Sequence, residues 1–222
     1  DPEAVRVEMG KLRKELMADP YLSGVCSMKP DGGKTAVCFH AKNDCPEVRM
    51  AVFKLLARHD IKVQVGIRRK KELLPLVHQA RALNVRWNSD TVYDDMVKTL
   101  FKRSLHKAEE NVICFARRGK SARDKALGNA VERAKINFQR DTGIASDKPT
   151  RIISRFPSEE TGLQVIDYFL WAVQRLYERR EDRYFNFVAN HYSVVMDFDD
   201  RRNGKTYGTW YSDRNPLAPE KI

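Results

Sequence analysis

Residues 162–175, GLQVIDYFLWAVQR, are the most apolar helical stretch of the chain. A helix this apolar has to be covered by other elements, so it constrains how the rest of the chain is arranged. Its middle carries a carboxylate, Asp167. At helical spacing Leu163, Ile166, Asp167, Leu170, Trp171 and Gln174 share one side. An isolated buried charge is costly, so an acid on that side must be paired, hydrogen-bonded or bound to a metal. Two readings follow. Asp167 is either a satisfied polar group of the interior or a metal ligand with partners elsewhere in the chain.

The remaining sequence alternates helical and strand-like runs. Residues 2–18 have Val5, Met9, Leu12 and Leu16 at helical spacing, and a Pro/Gly-rich connection follows over 19–34. TAVCFHA (35–41) reads as a strand. PEVRMAVFKLLARH (46–59) reads as a helix opened by Pro46. IKVQVGI (61–67) alternates like a half-buried strand, and 70–83 is a helical run interrupted by Pro75. A long helix is expected over 89–108, a buried strand over 111–116, and a helix over 121–141 with Ser121 as N-cap. A strand over 150–156 precedes the apolar helix, expected over 158–179 with Ser158 as its cap. A short helix (182–191) and a last strand (192–198) complete the pattern. This alternation predicts an α/β fold, one domain over 1–198 with an extended tail over 199–222.

The 222 residues carry 41 Lys and Arg against 30 Asp and Glu, a net charge of +11. No run of about 18 apolar residues is present, so a membrane-spanning helix is not expected. Cys26, Cys38, Cys45 and Cys114 lack CxxC spacing and read as reduced thiols of a cytoplasmic protein. The positive charge is clustered. Residues 101–140 hold eleven basic and four acidic residues, +7 in forty positions, which points toward a polyanion such as nucleic acid.

Four segments carry candidate chemistry. RRGKSAR (117–123) resembles a phosphate-binding loop, but Cys114 stands where a P-loop needs glycine. A strand end, a basic turn and a helix start remain, with Arg117, Arg118, Lys120, Ser121 and Arg123 placed to meet a backbone phosphate; a solvated basic turn is the other reading. FHAKNDCPEVR (39–49) sets His40 and Asp44 at a strand-to-helix junction, where both can bind a metal or relay protons. Asp44 is equally explained as the N-cap of the following helix. Arg175, Arg179, Arg180 and Arg183 form a second basic group interleaved with acids. Tyr207, Trp210 and Tyr211 either anchor the tail or stack on bases.

ENVICFARRGKSARDKAL followed by LQVIDYFLWAVQRLYERREDRY resembles the bacterial Domain of Unknown Function 3800 family, which belongs to the ribonuclease H-like superfamily. Leu163, Gln164, Asp167, Tyr168, Trp171, Ala172, Arg175, Tyr177 and Glu178 stand as in that family, and FHAKNDCPEVR resembles its middle segment. The resemblance covers roughly residues 1–200 and implies a ribonuclease H-like mixed β-sheet flanked by helices. It also implies two-metal phosphodiester chemistry, with relatives tied to mobile elements and phage defence. Two departures stand out. The family opens on a strand reading like FIDESG, which here would lie upstream of Asp1, and many members carry Glu where this chain has Ala116.

The resulting expectation is a nucleic-acid-processing protein acting on DNA or RNA. In the active version Asp167 binds Mg²⁺ (or Mn²⁺), His40 and Asp44 assist, and Arg117, Arg118, Lys120, Ser121, Arg123 and Arg175 hold the nucleic acid. The alternative is a catalytically inactive nucleic-acid-binding or assembly module that keeps the fold and the basic face.

Overall fold

The first helix shows how local sequence sets its element. In the computed structural model, which describes residues 1–117, 123–204 and 207–222, α1 (Pro2–Ala18) starts at Asp1. The Asp1 carboxylate accepts from the backbone N–H of Glu3 at 2.9 Å, and Pro2 occupies the first helical position, where its missing N–H costs nothing. Next come a single helical turn, α2 (Lys34–Val37), and the helix α3 (Pro46–Leu56). Strand β1 (Val63–Ile67), α4 (Lys70–Ala82) and α5 (Ser89–Phe101) follow. Then come β2 (Asn111–Ala116), α6 (Asp124–Thr142), β3 (Thr150–Arg155) and α7 (Thr161–Arg179). The chain ends with α8 (Arg183–Phe187), β4 (Tyr192–Asp197) and β5 (Thr209–Tyr211). The architecture is mixed α/β. Among the described residues no helix is long and apolar enough to cross a membrane.

The chain forms two compact units. The first comprises Asp1–Val63, Phe156–Val194 and Ser212–Ile222. Its core is the apolar helix. Val165, Tyr168, Phe169, Ala172, Val173 and Leu176 recur at helical spacing and are buried. Helix α1 packs on both α3 and α7. Phe53 of α3 meets Tyr168 edge-on, with ring centroids 5.2 Å apart, and stacks on Tyr184 at 5.6 Å. Asp167 falls beside this buried face rather than within it, and its side chain is 36% exposed. The expected inward side is therefore corrected: it lies one position on, because Val165, Phe169 and Val173 complete a wider stripe than residues 163, 166 and 170 do.

The second unit comprises Gln64–Arg155 and Val195–Tyr211. Its centre is a β–α–β crossover. Strands β2 and β3 pair in parallel, Asn111 opposite Thr150 through Ala116 opposite Arg155, and α6 makes the return. Ile113, Phe115, Leu127, Ala130, Val131 and Ala134 form one cluster with Val97 and Leu105, packed further by Tyr93, Phe101 and Ile152. A three-stranded sheet runs in the order β1–β4–β5, with β5 antiparallel to β4. Gly208, at φ +82°, precedes β5 where a Cβ would lie 2.2 Å from the Asp197 carbonyl oxygen, so only glycine fits. Part of the expected tail, Thr209–Tyr211, forms β5.

Several expected elements differ. Residues 35–41 are not a strand. Lys34–Val37 make a helical turn, and Thr35, a strand former by propensity, instead turns its hydroxyl inward to Asp44. Helix α4 runs through Pro75 with no buried residue, so the missing hydrogen bond faces water. Helix α5 stops at Phe101, and the turns after it carry Leu105 into the core. Helix α6 is described from Asp124 on, and the expected cap Ser121 lies outside the described residues; α7 is capped by Glu160, whose carboxylate accepts from Gly162 N–H at 3.0 Å, not by Ser158.

Candidate functional site

Three of the residues singled out by sequence, His40, Asp44 and Asp167, come together in the first unit, where the 38–45 loop lies along α7. Two side chains of α7 hold the loop by its backbone. Gln164 Oε1 accepts from the Phe39 N–H at 3.1 Å, and Asp167 Oδ2 accepts from the Ala41 N–H at 2.9 Å. The geometry is simple. Alternate N–H groups of an extended segment point the same way, and residues three apart on a helix share a side. Gln164 is itself oriented by donating to the Pro157 carbonyl at 2.7 Å. From the other side Arg49 of α3 donates to the carbonyls of Ala41 (3.0 Å) and Asp44 (2.7 Å). Its guanidinium lies 4.9 Å from the Trp171 ring centroid, and that of Arg175 lies 5.5 Å from it.

Asp44 is not an N-cap. Cys45 takes that position in α3 and Asp44 is buried. Oδ1 accepts from the Thr35 hydroxyl at 2.6 Å; Oδ2 accepts from the His40 N–H at 2.8 Å and from the Tyr168 hydroxyl. Burial nevertheless holds this carboxyl above its usual range, outweighing the hydrogen bonds that favour its charged form. Burial and the Asp44 charge push the Tyr168 hydroxyl well above its ordinary value, so it remains a donor. His40 Nδ1 stands 3.3 Å from Asp167 Oδ2 without hydrogen-bond geometry, and the imidazole is 45% exposed.

The carboxylates of this set already carry protein donors, on both oxygens of Asp44 and on Oδ2 of Asp167. A cation on Asp44 would have to displace its N–H and O–H donors. Among the described residues no three His, Cys, Asp or Glu side chains form a metal-binding group. Thr35 and Arg49 complete the constellation together with Gln164 and Tyr168, which the sequence marked only as motif positions, with no role in the site. The one available signal was Gln164, three residues before Asp167 in an otherwise apolar helix.

The expected phosphate-binding residues are distributed differently. Arg118, Lys120 and Ser121 lie outside the described residues. Arg117, exposed at the end of β2, donates its N–H to the Arg155 carbonyl at 2.8 Å and so brings the ends of β2 and β3 together. Arg123 is held within the protein: it pairs with Asp94 at 2.7 Å and Asp90 at 3.3 Å, 5.5 Å from the Tyr93 ring centroid. Arg175 donates through Nε to Glu181 at 2.6 Å. Both guanidinium groups are paired with acids of the chain itself.

A second acidic group was not singled out by sequence. Asp197, Asp199 and Asp200 follow one another at the end of β4. Asp197 pairs with Arg69 at 2.6 Å and accepts from the backbone N–H groups of Asp199 and Asp200. Asp199 pairs with Arg68 at 3.0 Å. Arg202, and after it the Tyr211 hydroxyl, hold the Asp200 carboxyl far below the usual carboxylate range. These acids neutralise arginines and close the β4–β5 connection. Cys26, Cys38 and Cys45 are free thiols.

Comparison with family models, with curated proteins and with solved structures found no match to this chain.

Proposed function

We propose that this chain is a nucleic-acid-binding module, derived from a ribonuclease H-like nuclease, in which the acids at the former site serve the fold. The observation that carries the reading is the β2–α6–β3 crossover. It sets Arg117 and Arg155 side by side at the carboxyl ends of two parallel strands, where open α/β sheets receive their ligands. The same crossover holds most of the +7 segment. Phosphate is the natural ligand of such a site, and sequence-independent backbone contacts are its simplest use. The resemblance of residues 110–127 and 163–184 to a nuclease-related family supports the same partner.

The test is affinity for a labelled oligonucleotide measured against salt. Affinity that falls steeply between about 50 and 200 mM salt is expected from several phosphate contacts. A flat response, or no binding at low salt, rules the reading out.

A second reading is a Mg²⁺-dependent nuclease. It rests on Asp167 and His40, which are adjacent, partly exposed and in reach of a substrate. It requires further carboxylates beside Asp167. Cleavage that depends on Mg²⁺ and disappears in Asp167→Asn would establish it.

A further inference from the structure

Parallel strands are ordinarily covered on both faces. Among the described residues, the β2–β3 pair packs one face on helices, while the other is exposed at Val112, Ala116, Arg151 and Arg155 and partly buried at Cys114 and Ile153. Ile113, Phe115 and Ile152 point into the core against α5 and α6. The register sets Val112 opposite Arg151, Cys114 opposite Ile153 and Ala116 opposite Arg155, all on the other face. There Val112 is 51% exposed, and Ala116, Arg151 and Arg155 are exposed as well. Neither strand contains a single acid. The face is a short apolar strip edged by two arginines four residues apart, roughly 13 Å along an extended strand.

We infer that this face binds single-stranded nucleic acid, with Arg151 and Arg155 on two phosphates of one strand and the bases laid against Val112 and Ile153. The inference rests on the nucleic-acid reading above and adds to it the surface and the strandedness. Charge selects the occupant. A basic, acid-free face in a unit with a clustered positive excess repels a second copy of itself and attracts a polyanion. Exposed bases bring apolar faces that a duplex keeps stacked inside, and an apolar strip rewards only the former.

The experiment compares the full chain with Arg151→Ala/Arg155→Ala and with a control that removes the same charge from α4, Lys70→Ala/Arg81→Ala. Fluorescence anisotropy is read with a labelled 20-mer, single-stranded or duplex, over a salt series. The double arginine variant is expected to lose about tenfold or more in single-strand affinity at low salt, and the magnitude of its salt slope should fall by about 1.4, the contribution of two phosphate contacts. The control should lose less than about threefold. A third variant, Val112→Asp, keeps both arginines and should also bind the single strand more weakly, because it charges the strip. Single-strand binding that the face variants reduce no more than the control does overturns the inference and leaves the nucleic-acid reading standing. Equal loss on duplex overturns the strandedness. No binding by the parent chain to any oligonucleotide overturns both.

Discussion

At the scale of single residues, Asp44 decides how the candidate site is understood. Three donors from three parts of the chain converge on one buried carboxylate. Removing an acceptor leaves those donors unsatisfied, so Asp44→Ala should cost about 2–4 kcal/mol in urea unfolding. Asp44→Asn should cost less than half of that, because its oxygen can serve His40 N–H and Tyr168 while the Thr35 hydroxyl rotates to accept. The pH dependence has a definite sign. Burial raises the folded-state carboxyl above the unfolded value of 3.8, so the unfolded chain releases this proton first. The stability of the parent protein relative to Asp44→Asn should therefore fall as pH rises from 3.8 through the folded-state value, then level off. A difference that grows with pH would mean that the hydrogen bonds outweigh burial.

At the scale of elements, the fold was legible where periodicity reports burial. Helices α1, α3 and α7 and strands β1, β2 and β3 follow from apolar spacing, since the burial that spaces their residues also holds them together. What sequence did not disclose depends on partners distant in the chain. TAVCFHA has the composition of a strand, yet Gln164 and Asp167, more than a hundred residues away, claim the N–H groups a sheet would use. Asp167 was legible as an acid needing a partner; that the partner is the Ala41 backbone was not. This role has a direct test in amide exchange. Asp167→Ala should speed exchange at Ala41 while leaving the α7 core protected, whereas Asp167→Asn, which retains an acceptor, should leave Ala41 slow. Unchanged protection in both variants would show that Asp167 does not hold the loop. Pro75 makes a separate case. It sits inside α4, breaks one helical hydrogen bond and buries nothing. Pro75→Ala should raise stability by about 1–3 kcal/mol, read as a higher denaturation midpoint.

At the scale of the molecule, the two units carry different kinds of residue. The first places its polar residues in loop-holding contacts around α7. The second carries the clustered positive charge and the partly exposed sheet face. The +11 excess was plain from composition, but composition counts Arg123 and Arg175 equally with Arg151 and Arg155. Only the folded chain separates arginines held by acids from those exposed on an acid-free face. The central claim is that this protein holds nucleic acid without cutting it. The most direct measurement incubates the full chain with a labelled single-stranded oligonucleotide in Mg²⁺ and follows binding and strand length together. Salt-sensitive binding with the strand intact is the predicted result. Mg²⁺-dependent cleavage lost in Asp167→Asn would contradict it.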